Sequence, residues 1–183
     1  MSQEPFPAID DDARAKYYFA QAKRHGERYP QSFDWPSIEV LLNMANTYDL
    51  CSQRLLKTFS DHGLSFAAFN VLSILSRREE SACSQKELCS LLLVSRANVT
   101  EVVDTLIRKG LVARRSCEKD RRVCIVTITE NGMRTVDDVM PVHFALTQKI
   151  SAVLDKAEKK ELSRLLTKLR GGVFSLLKQE GSI

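Results

Sequence analysis

A mainly α-helical protein with one small β-hairpin is what this chain predicts, on three observations. Residues 81–132 read as two short capped helices, a charged hairpin and a new helix start. Basic charge concentrates on that hairpin, and long apolar stripes of helical period lie on both sides of the segment. Two helices followed by a hairpin is the order of a winged helix-turn-helix, here flanked by N- and C-terminal helices expected to serve dimerisation.

The elements follow in order. Residues 1–36 are expected to be an N-terminal extension punctuated by Pro5, Pro7, Pro30 and Pro36, with one short helix at about Asp11 to Arg28 behind three aspartates. Residues 37–62 are expected to form the N-terminal dimerisation helix. Val40, Leu41, Met44, Tyr48, Cys51, Leu55, Leu56 and Phe59 recur there at three- and four-residue steps, and His62-Gly63 ends the run.

Residues 63–132 hold the winged helix-turn-helix. Ser65 caps a helix with Phe66, Phe69, Leu72, Ile74 and Leu75 inward, closed by Arg77 and Arg78. Ser84 and Glu87 are spaced as a capping box, so a short helix runs from Gln85 to about Leu91; the LLLVS turn after it lacks a glycine. Ser95 caps the next helix, which reaches Lys109, breaks at Gly110 and turns Val99, Val102, Val103, Leu106 and Ile107 inward. VARRSC, the loop EKDRR and VCIVTIT make the hairpin, and Thr129 caps a helix through Met133, Val136 and Met140 towards Pro141.

Residues 133–183 are the expected C-terminal helical dimerisation region. Leu162, Leu165, Leu166, Leu169, Val173, Leu176 and Leu177 form a second stripe, with Gly171-Gly172 expected to bend or loosen the helix. A small winged core cannot cover two long apolar helices from opposite ends of the chain. They are therefore expected to pack on each other and on a second copy, with Leu162, Leu165, Leu166, Leu169 and Val173 in the dimer contact.

Charge points to the partner. From Arg108 to Arg122 stand seven basic residues against Glu118 and Asp120, a local net charge of +5 in a chain whose total is +4. That distribution suits a surface that neutralises phosphates, so double-stranded DNA is the expected ligand. The first residues of the second helix, Ser95, Arg96, Ala97, Asn98 and Thr100, are expected at base edges, with Glu101 and Asp104 turned away. Lys119 and Arg121 at the wing tip suit a minor groove, with Arg122 beside them and Asp120 orienting one of the two arginines. Arg114 and Arg115 alternate along a strand, so only one of them is expected to face DNA.

Other classes find less support. No run of about 18 apolar residues predicts a membrane span, and the first thirty residues carry Asp10, Asp11 and Asp12 without a signal-peptide core, so a cytosolic protein is expected. Five cysteines without a Cys-x-x-Cys pair, beside three histidines, do not predict a zinc site, and no cofactor is expected. No nucleophile, base and oxyanion arrangement stands out, so an enzyme is not expected. Cys117 and Cys124 flank the wing loop and form a candidate redox pair. The competing reading is a winged-helix protein-interaction module without sequence-specific DNA binding.

The segments GLSFAAFNVLSIL at 63–75, SQKELCSLLLVSRANVTEVVDTLIRKGLV at 84–112 and DRRVCIVTITENG at 120–132 resemble the MarR family of multiple-antibiotic-resistance-type transcriptional regulators. The resemblance spans roughly residues 37–178. It implies a homodimeric regulator, most often a repressor, on a pseudo-palindromic operator, with two recognition helices about 34 Å apart. It also implies that small aromatic ligands or cysteine oxidation lower DNA affinity. An effector would sit between the dimerisation helices and the DNA-binding lobe, with Met44, Tyr48 and Asn70 as candidate lining. The N-terminal extension is similar to that of a urate-responsive branch, with Tyr17, Tyr18 and Trp35 as aromatic walls. Where that branch uses an acidic residue and an arginine, this chain has Asn70 and Val102, which argues against urate.

Overall fold

The computed structural model describes residues 12–78, 81–92, 96–116 and 123–181, without the side chains of Arg96 and Ala97. Its elements are α1 (Ala13–Arg28), α2 (Trp35–Asp61), α3 (Phe66–Ser76), β1 (Ala82–Ser84), α4 (Gln85–Leu91), α5 (Arg96–Arg108), β2 (Val112–Ser116), β3 (Cys124–Ile128), α6 (Glu130–Ile150) and α7 (Lys156–Gln179). They fall into two units, residues 1–57 and 58–183. Among the described residues no helix is long and apolar enough to cross a membrane.

In the first unit Asp12 caps α1 by accepting from the Ala15 N–H at 2.9 Å. Arg14 pairs with Asp49 of α2, which also accepts from Gln53 at 2.8 Å. Trp35 meets Phe19 edge-on at 5.9 Å between ring centres and Phe33 at 6.2 Å, with the Lys23 ammonium 5.0 Å from its ring. Gly26 is buried against Phe33, where a Cβ would come within 2.4 Å of the ring. The helix α2 starts two residues before the expected Ser37, because Asp34 accepts from the Ser37 N–H at 3.0 Å and Pro36 sits in the first turn, where its missing N–H costs nothing.

In the second unit Gly63, at φ +69°, turns the chain out of α2, and Ser65 caps α3 by accepting from Ala68 N–H. Phe59 stacks on Phe69 at 4.3 Å. Around them Leu72, Leu75, Leu88, Val99, Val103, Leu106, Val126 and Val139 close a core with essentially no solvent contact. The sheet is antiparallel in the order β1-β3-β2. The strand β1 is an addition to the expected hairpin: three residues, Ala82 to Ser84, are too few to show a strand period, yet they pair with Thr127 to Ile125.

Two helices run on through residues that disfavour helix. The helix α6 runs past Pro141 to Ile150. Proline forfeits one backbone bond, but packing holds both sides of it, with Val139 buried and His143 placed 5.7 Å from Phe59 and 5.3 Å from Phe69. The helix α7 likewise passes Gly171-Gly172 without interruption. Its capping box of Asp155 and Glu158 fixes the start, and the leucine, lysine and arginine residues around the glycines favour continuation.

Candidate nucleic-acid interface

The helix-turn-helix is anchored at the start of α4. The Ser84 hydroxyl accepts from the Glu87 N–H at 3.2 Å, while a Glu87 oxygen accepts from the Ser84 N–H at 2.9 Å and from its hydroxyl at 2.7 Å. These bonds, the hydroxyl first, hold the Glu87 carboxyl down to about 2. One residue further on, the Gln85 amide donates to the Thr100 hydroxyl at 2.8 Å and ties the first turn of α4 to α5.

The orientation of α5 follows from its apolar stripe. Val99, Val103 and Leu106 are buried, so a 3.6-residue period turns Glu101, Asp104 and Arg108 outward, all three exposed. Asn98 and Thr100, two residues apart, lie on opposite flanks rather than on one face. Asn98 lines a cleft of about 380 Å³ with Gly63, Ser65, Glu101 and Lys109, across which the Lys109 ammonium donates to the Gly63 carbonyl. Of the expected base-reading set, Ser95 lies outside the described residues, as do the side chains of Arg96 and Ala97.

Gly110, at φ +68°, ends α5, and Leu111 N–H closes the turn on Leu106 O at 3.0 Å. Thr129 then binds this corner to α6: its hydroxyl donates to Gly110 O at 2.7 Å, its N–H donates to Leu111 O at 3.1 Å, and the same hydroxyl accepts from Gly132 N–H at 3.0 Å. Gly132 is buried so close beneath that a Cβ there would stand 2.0 Å from Leu111 O.

The hairpin separates its two strand arginines. Arg114 is paired in register with buried Val126 and so shares its face, and its guanidinium meets the Asp104 carboxylate of α5 at 2.9 Å. Arg115, opposite Ile125, points to the other face. Asp104 is exposed on α5 and is neutralised there by Arg114. Cys117, Lys119, Asp120, Arg121 and Arg122 lie outside the described residues.

Cys124, half-buried on β3, pairs in register with Ser116. Cys83 of β1 is buried, and desolvation, with Glu87 close by, pushes its thiol up, away from the reactive thiolate. Of the candidate effector residues, Met44 and Tyr48 are exposed on α2 in the first unit, and Asn70 is half-buried on α3 in the second. Leu162, Leu165, Leu166 and Val173 are exposed along α7, and Leu169 is half-buried. Sequence reasoning missed the Gln85–Thr100 bond and the Arg114–Asp104 pair. No local pattern marks the first, and the second joins residues ten apart on different elements.

A MarR family model matches residues 62–123, from the end of α2 to the start of the second wing strand. The transcriptional repressor YetL of Bacillus subtilis is 29% identical over 153 residues, 84% of this chain and 89% of that one. The DNA complex of Sco3205, a MarR family regulator from Streptomyces coelicolor, has the same fold, with a TM-score of 0.72 at 18% identity over 76% of this chain and 89% of that one. Bordetella bronchiseptica BpsR, whose DNA binding 6-hydroxynicotinic acid regulates, has a TM-score of 0.64 at 27% identity over 72% of this chain and 98% of that one. Sequence and fold agree on the capped α4 helix, the α5 helix and the hairpin after them, and that segment is where the chain is similar to MarR family regulators.

Proposed function

We propose that this protein is a sequence-specific DNA-binding transcriptional regulator, acting as a repressor and as a homodimer on a pseudo-palindromic operator. The observation that carries the reading is the α4–α5 pair: the capping box and the Gln85–Thr100 bond fix α5 with Asn98, Thr100 and Glu101 exposed, ahead of a hairpin of basic sequence. The exposed apolar face of α7 supports a second copy, and two copies would present two recognition helices to successive turns of one duplex face. Repression follows the name of YetL.

Regulation by a small aromatic ligand is supported by the regulation of BpsR DNA binding by 6-hydroxynicotinic acid. Oxidation of Cys117 and Cys124 is the other proposed input. Either would act by favouring one spacing of the recognition helices, and would shift the equilibrium only by its differential affinity for the two states. Cytoplasmic location accords with DNA as the partner.

Selection of bound duplexes from a random pool tests the reading. It predicts enrichment of an inverted repeat with half-sites about one helical turn apart. In that selected duplex, Arg121→Ala is expected to lower the salt slope by about one. A pool without an enriched sequence would instead favour the protein-interaction module.

A further inference from the structure

Asp104 places a carboxylate on the outward line of α5, between Glu101 and Arg108, where a helix seated on DNA would bring it towards the phosphate backbone. An acid there opposes binding unless it is neutralised. Arg114 neutralises it from β2 at 2.9 Å, and the same bond engages the one strand arginine on the α5 side of the ribbon. The carboxylate side is half exposed and the guanidinium about a third exposed, so solvent screens the pair and it contributes little to folding stability. Its geometry has a clearer consequence for binding. A guanidinium is a bidentate phosphate ligand, and phosphate contacts are made alike on every sequence.

We propose that Asp104 is a specificity-determining residue that withholds Arg114 from the DNA backbone and so keeps binding to non-operator DNA weak. The inference rests on the DNA-binding reading above. On an arbitrary duplex the loosely seated helix leaves Arg114 on Asp104, and one phosphate contact is not made. Within the selected operator, base contacts hold α5 closer, and a phosphate is positioned to compete for the guanidinium. Asp104 acts through Arg114 and is therefore a positioning residue.

The test is a double-mutant cycle on the full-length protein, with a labelled duplex of scrambled sequence and the selected operator duplex across a salt series. Asp104→Asn is expected to bind the scrambled duplex several-fold more tightly, with the log–log salt slope steeper by about 0.9, the signature of one more phosphate on B-form DNA. The operator should gain less, so the ratio of the two affinities falls. In an Arg114→Ala background, the same Asp104→Asn change is expected to alter neither scrambled affinity nor slope. Equal gains in both backgrounds would overturn the proposal, because Asp104 would then act by its own charge. An unchanged slope in the single variant would also overturn it. Matching melting temperatures for the variants separate this readout from damage to the fold. Failure of the parent protein to bind either duplex would overturn the DNA-binding reading and this inference together, whereas operator binding with an unaltered affinity ratio would remove only the inference.

Discussion

Helices α5 and α7 carry the same kind of sequence pattern and meet opposite fates. In α5, Val99, Val103 and Leu106 have 0% exposure, covered within the unit that also holds α3, α4 and the sheet. In α7, Leu162, Leu165, Leu166 and Val173 keep 46%, 47%, 41% and 48% exposure, and none of its residues is buried. An apolar stripe thus states that a face needs covering, not what covers it. The lobe around α5 closes its core inside one chain, whereas α7 presents a face that a second copy would close.

The largest expected effect comes from opening the closed lobe. Leu106→Ala should lower unfolding free energy by about 2–5 kcal/mol, since a fully buried leucine leaves both lost transfer energy and a cavity. Urea unfolding measures it, and a loss under about 1 kcal/mol would mean that the core collapses around the gap. On the open face, Leu166→Asp should convert the proposed dimer to a monomer while the circular dichroism of the lobe persists. Sedimentation equilibrium reads the mass, and a variant that stayed dimeric at low concentration would place the contact elsewhere.

Next in size is the corner where Thr129 ties the end of α5 to the start of α6. Gly132→Ala should cost about 1–3 kcal/mol, because the added methyl meets a backbone carbonyl that cannot rotate away. Gly171→Ala, with nothing within 4 Å of its would-be Cβ, should be neutral or stabilising in the same urea assay if that helix face stays open. Destabilisation there would show that another chain approaches closely at Gly171.

Smaller effects concern the α4 cap. Ser84→Ala should cost about 1 kcal/mol, the usual loss for an N-cap. The Glu87 carboxyl is depressed from 4.5 to about 2, so its charge stabilises the folded state above about pH 4.5 and that contribution fades as pH falls towards 2. The stability difference between the parent protein and Glu87→Gln should therefore be greatest near neutrality and vanish over that acid window. A difference independent of pH would assign the cap to hydrogen bonding alone.

Local signals made much of this fold legible. Ser65, Ser84 and Thr129 announce helix starts because a cap is a short-range bond, and each is made as its spacing predicts. Gly63 and Gly110 mark helix ends because both take positive φ. Long-range geometry was less legible. Three residues of β1 carry no period of their own and pair only because β3 is already in place. Pro141 and Gly171-Gly172 are locally unfavourable to helix, but packing or helix-forming neighbours carry the helices through them. Charge counting found the basic hairpin, yet could not tell that Arg114 and Arg115 have different faces or that Arg114 is held by an acid.

The most direct measurement is the affinity of the full-length protein for its selected duplex and for a scrambled duplex of equal length, across a salt series. A helix-turn-helix that reads bases beside a basic wing that holds phosphates predicts steep salt dependence on both, and tighter binding to the selected sequence by at least about a thousandfold at physiological salt. Equal affinities for the two duplexes, or binding indifferent to salt, would contradict it.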